Sequence, residues 1–144
     1  MQVIFMIHLF ASSLMGGIIW FVQVIHYPLF NQIGSAQFVA YEREHVRRTK
    51  FLIAPLMLIE LGSGLFLILM NHSFNVYLIN INFILLILIW ISTFFIQVPL
   101  HNALLDKRDS MSISKLVKSN WVRTLLWTSR LVLLLIIIPF SNDY

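Results

Sequence analysis

The sequence predicts an all-α fold, a bundle of four transmembrane helices, and three observations carry that reading. Hydrophobic residues make up 59% of the 144 positions and charged residues only 11%, against roughly a quarter charged in an ordinary soluble domain. Four apolar runs are each long enough to cross a bilayer, which takes about 20 residues as helix. A helix satisfies its own backbone hydrogen bonds, whereas a lone strand in lipid does not. The composition excludes disorder and collagen-like repeats. With no cysteine there is no disulfide, thiolate nucleophile or iron–sulfur cluster. Residues 1–144 read as a single integral membrane domain.

The first run covers about Val3 to Tyr27. It is too long for a signal-peptide core, no Lys or Arg precedes it, and no small-residue cleavage site follows before Tyr27-Pro28, so it is expected to be retained. The second covers Phe51 to Met70, the third Val76 to Gln97 and the fourth Trp121 to Phe140. Between the first and second lie Arg43, Arg47, Arg48 and Lys50, and between the third and fourth lie Lys107, Arg108, Lys115 and Lys118. The Asn71–Asn75 turn has neither Lys nor Arg. Positive residues favour the cytoplasmic side, which predicts cytoplasmic connections and both termini outside. The pI near 9.8 follows from these two connections, and lipid headgroups rather than nucleic acid are the expected neighbours. The connections also carry apolar groups at helical spacing. Phe30, Ile33, Phe38 and Tyr41, and then Ile113, Leu116 and Val117, predict short amphipathic cytoplasmic helices on the membrane surface or capping the bundle.

The two halves invite comparison. Gln23-Val24-Ile25-His26-Tyr27-Pro28 matches Gln97-Val98-Pro99-Leu100-His101 in type and place, and His45-Val46-Arg47-Arg48-Thr49 matches Trp121-Val122-Arg123-Thr124. Either a two-helix hairpin was duplicated, or short apolar segments match by chance. Duplication would set Gln23 and His26 opposite Gln97 and His101 around one central site.

Polar residues inside apolar runs narrow the chemistry. Glu60 is nine residues past Phe51 and Arg130 nine past Trp121, each roughly 13 Å deep at 1.5 Å per residue. Alone, either would cost about 3 kcal/mol or more at the helix centre, and their matched depth predicts an ion pair. That pair is either a clasp between helices or part of a site. Arg123 and Trp127 share the Arg130 face, and one carboxylate does not neutralise two arginines, so an anionic ligand or lipid headgroup is expected to complete the balance. His72 is expected to be solvated, and His8 to make a hydrogen bond between helices. His26, His45 and His101 can reach one layer with Glu60 below them, which resembles the inward-facing ligand sets of metal-binding bundles. No H-x-x-x-H or E-x-x-H pair supports the metal, and haem fits less well because no pair is placed to ligate from opposite sides. Interfacial histidines bonded to headgroups, or a histidine base working with Glu60, are the alternatives. Gly16-Gly17 and Gly62-x-Gly64 are expected to let helices approach closely. Pro55 and Pro99 are expected to free carbonyls near the same layer.

Three stretches carry a resemblance. His26-Tyr27-Pro28-Leu29-Phe30, Ser92 through Asn102 and Asn120 through Arg130 resemble an uncharacterised family of small four-span bacterial membrane proteins. In size and span count the chain is also similar to anthrone-oxygenase-like membrane proteins, though no motif residue matches theirs. The first resemblance implies a four-helix bundle in the bacterial cytoplasmic membrane. The second implies oxidative chemistry on a hydrophobic substrate. The expected function is therefore a polar, charge-paired site near the cytoplasmic helix ends that binds a metal or a small hydrophobic or anionic ligand. Redox catalysis on a membrane-soluble substrate is one use of it. The candidate residues are His26, His45, His101 and Glu60 for a metal, and Glu60, Arg123, Arg130, Gln23, Gln97 and Trp127 for a ligand or ion pair. An accessory subunit of a larger membrane complex, and a small oligomeric transporter or channel, are the competing expectations.

Overall fold

The computed structural model describes residues 1–70 and 74–137. The reading of His72 as solvated, part of the outer turn and the end of the fourth run at Phe140 lie outside the described residues. Four helices are long and apolar enough to cross a membrane: α1 (Gln2–Gln32), α2 (Ser35–Met70), α3 (Val76–Asp106) and α4 (Ser110–Ile137). Each packs on the next, and α4 closes the ring against α1. Large apolar side chains such as Phe10, Phe51, Ile84 and Leu135 point outward and are exposed, a surface suited to lipid and not to water.

The amphipathic segments cap the bundle, and they do so as continuations of the spans. Ser35–Met70 is one uninterrupted helix of 36 residues, about 54 Å long at 1.5 Å per residue and longer than a bilayer core. The apolar stripes of these extensions meet each other. Phe30, Phe38, Leu104, Ile113 and Leu116 form a buried cluster with Val22 and Tyr27. Two further clusters fill the spans, one around Met15, Ile19, Met57, Ile89 and Trp127, the other around Phe5, Leu67, Ile79 and Leu134.

Helix ends are set by capping residues. Asn75 accepts hydrogen bonds from the backbone N–H of Tyr77 and Leu78 at the start of α3. Asp109 does the same for α4, accepting from Met111 N–H, Ser112 N–H and the Ser112 hydroxyl. The Ser112 hydroxyl, then its N–H, hold the Asp109 carboxyl below its usual range. A carboxyl with a lowered folded value stabilises the fold above its unfolded value, about 3.9, and that contribution is lost as pH falls through the folded value. Asp109→Ala should therefore lower the melting temperature at pH 7, with a gap from wild type that narrows under acid; circular dichroism melts in detergent read both.

Two helices carry the same irregularity. In α1, Val22–His26 is a π turn closed by Tyr27 N–H to Val22 O, and in α3, Thr93–Gln97 is another, closed by Val98 N–H to Thr93 O. Each ends two residues before a proline, Pro28 or Pro99. The missing proline N–H releases the regular hydrogen-bond register ahead of it, and the turn widens by one residue. Pro55, by contrast, sits inside α2 without ending it.

The glycines divide. A Cβ on Gly64 would stand 3.1 Å from His8 Cε1 and from Phe83 Cδ2, and one on Gly16 would meet the Leu131 side chain. These two permit close approach. Gly17 and Gly62 face open space, with nothing within 4 Å, contrary to the expectation that all four serve packing.

Candidate functional site

The polar residues form two layers. In the first, every helix contributes. Arg130 on α4 donates Nη1–H to Glu60 Oε1 on α2, and both side chains are wholly buried. Glu60 also accepts from Ser12 Oγ on α1 at 2.7 Å and from Trp127 Nε1 at 3.2 Å. The remaining guanidinium N–H groups reach Asn82 Oδ1 on α3, Ser12 Oγ and His8 Nε2 at 3.2–3.3 Å, and Asn82 Nδ2 donates back to Arg130 O at 3.0 Å. Because an arginine only donates, His8 Nε2 is an acceptor. The proton of that neutral ring is then on Nδ1, directed at Ser63 Oγ 2.8 Å away. His8 thus makes the interhelical hydrogen bond expected of it. The layer is a closed and satisfied clasp.

The second layer lies toward the helix ends that bear the positive charges. His26 Nε2 and His45 Nδ1 are 2.8 Å apart, and the His45 and His101 rings are 5.3 Å apart, centroid to centroid. His26, His45 and His101 therefore do converge. Glu60 is not with them, because its position on α2 places it in the Arg130 clasp. The carboxylate that joins the histidines is Glu42, whose Oε1 meets His101 Nδ1 at 2.5 Å. Tyr27 OH meets the other nitrogen of His101 at 3.0 Å. Among the described residues no group of three or more His, Asp or Glu side chains is arranged to hold a metal ion. The reason is visible in the bonding: both nitrogens of His101 are taken by protein partners, and His26 and His45 spend one nitrogen each on one another.

Gln23 and Gln97 do not face each other across the site. Gln23 Oε1 accepts from Asn120 Nδ2 at 2.9 Å, and its Nε2 donates to Val117 O at 3.1 Å. Gln97 accepts from Ser92 Oγ and donates to Ser119 Oγ. Each amide ties one π turn to α4, so both are positioning residues.

Arg123 completes the layer. It is 5% exposed, its guanidinium lies 5.3 Å over the Trp127 ring, and its Nε has no hydrogen-bond partner. Among the described residues no carboxylate pairs with it; Tyr27 is its polar neighbour. It opens on a cavity of about 480 Å³ between α2 and α3, lined by Tyr27, His45 and His101 on the polar side and by Met57, Trp90 and Phe94 on the apolar side.

Tyr27 and Glu42 were missed in the sequence. Tyr27 stands in the sequence only as the end of the first apolar run, and Glu42 lies among the charged residues between the first and second runs. Glu42 did leave a signal, standing four residues after Phe38 and three before His45 on one helical face. No family, curated protein or solved structure matches the chain.

Proposed function

We propose that the chain is a membrane-embedded binding protein for an amphiphile with an acidic head, and that it exchanges a proton with that head. The observation that carries this reading is Arg123, a cation buried without a carboxylate at the end of a cavity whose other wall is apolar. Burying an unpaired charge is costly, and an anionic head that enters from lipid supplies the missing partner while its chain lies along Met57, Trp90 and Phe94. Small-molecule sites share this make-up, mostly apolar with a few convergent polar groups.

The chemistry beside Arg123 is acid–base. Tyr27, His101 and Glu42 form a file in which the phenol proton passes to Nε2 of His101 while Nδ1–H is held by Glu42. Burial opposes the phenolate that results, and Arg123, next to Tyr27, offsets part of that cost. Tyr27 is the group that touches the head, and His101 and Glu42 act through it. The positive connections at this end support its placement on the cytoplasmic face of a bacterial inner membrane, with the N-terminus outside. The Glu60–Arg130 layer is the structural part of the molecule, the role that the accessory-subunit reading gives it.

Photolabelling tests the site. Diazirine-bearing palmitic acid, irradiated with purified protein and mapped by mass spectrometry, should label Met57 or Trp90. Label spread evenly over outward residues such as Phe10 and Leu135 would overturn the reading. So would stoichiometric bound metal that is lost in His26→Ala, His45→Ala and His101→Ala.

A further inference from the structure

A second cavity, of about 650 Å³, lies between α1 and α2 on the other side of His45. His26 and His45 both line it, Tyr41, Glu44 and Arg48 stand at its rim, and Phe21, Val22 and Leu52 form its walls. Glu44 and Arg48 are exposed, with about half and three-quarters of their side chains accessible. His45 is the histidine shared with the cavity that holds Arg123.

We infer that this second cavity is the water-side inlet for protons, and that the His26–His45 pair carries them to the amphiphile head. This rests on the amphiphile reading and adds to it the route by which the head is reprotonated. Each ring spends one nitrogen on the 2.8 Å bond between them. Among the described residues, Nδ1 of His26 and Nε2 of His45 have no protein hydrogen bond, so each ring keeps one nitrogen free for a further partner. Thr49 Oγ1 is also 3.2 Å from His45 Nδ1, and we assign that nitrogen as the acceptor from both the Thr49 hydroxyl and His26 Nε2–H. One transfer then balances. Water in the inlet protonates His26 at Nδ1, the Nε2 proton crosses to His45 Nδ1, and the Nε2 proton of His45 leaves to the head-group oxygen. One proton enters, one is delivered, and ring rotation resets the pair. The groups that face the pair are Glu42, His101, Tyr27 and Tyr41 on the protein side, and Glu44 and Arg48 at the rim.

The test uses the full chain, labelled with 15N-histidine in nanodiscs, and measures exchange of the His45 ring N–H with water by NMR. Gly17 lines the inlet, and a Cβ there meets nothing within 4 Å, so Gly17→Phe directs a ring into the inlet. Exchange at His45 should slow at least tenfold in Gly17→Phe and in His26→Phe. Gly17→Ala should leave it near the wild-type rate. Unchanged exchange in both Phe variants would overturn the inlet, because water would then be reaching His45 from elsewhere. If Gly17→Phe does not fold, His26→Phe decides alone. Palmitate labelling of the Arg123 cavity is read separately, so loss of the inlet and loss of the amphiphile reading are told apart.

Discussion

Replacing Glu60 with Gln should lower the stability of the chain by about 3–5 kcal/mol, the usual cost of stranding one partner of a buried ion pair. The variant leaves the Arg130 guanidinium wholly buried with only neutral acceptors, Asn82, Ser12 and His8, around it. Trp127 Nε1 and Ser12 Oγ, which donate to the carboxylate, would meet an amide that offers one acceptor oxygen in place of two. The double variant Glu60→Gln with Arg130→Met should recover part of the loss, since no unpaired charge remains. Equilibrium unfolding by SDS titration in mixed micelles measures both. Near-wild-type stability in Glu60→Gln would show that the layer does not clasp the bundle.

Arg123→Leu should have the opposite signature. It removes a buried cation that no carboxylate neutralises, so the fold should be as stable as wild type or more so. Binding should suffer instead. A hydrogen bond to a charged group contributes about 1.5–3 kcal/mol, so the affinity for a fatty carboxylate should fall about ten- to hundredfold. Fluorescence titration with cis-parinaric acid reads the affinity, and the SDS midpoint of the same sample reads the fold. The two arginines thus separate one structural layer from one binding layer. A variant that loses both stability and binding would place Arg123 in the clasp.

The sequence made the fold legible because the solvent is unusual. In lipid the backbone has to satisfy itself, so run length alone locates helices, and the four runs all appear. The Glu60–Arg130 pair was legible for the same reason, since a charge at that depth demands a partner. The π turns were not legible. Pro28 and Pro99 mark where the register can slip, but the sequence does not say whether a helix ends there or widens. The convergence of the three histidines was permitted by their distances from the helix ends. Their bonding was not, because ring orientation depends on the phase at which Ser35–Met70 continues through the membrane boundary. That continuation also explains the exchange of Glu60 for Glu42. On a short surface helix a charged residue such as Glu42 would face solvent, whereas as part of one long helix it is wholly buried beside His101.

The measurement that bears most directly on the account is charge selectivity in the wild-type protein. Parinaric acid and its methyl ester share one apolar chain and differ in the head, so titrating both into the same purified sample isolates what the cations lining the cavity, Arg123 and Lys50, contribute. The carboxylate should bind saturably, one per chain, at least tenfold tighter than the ester. Equal affinities, or no saturable binding of either, would contradict it.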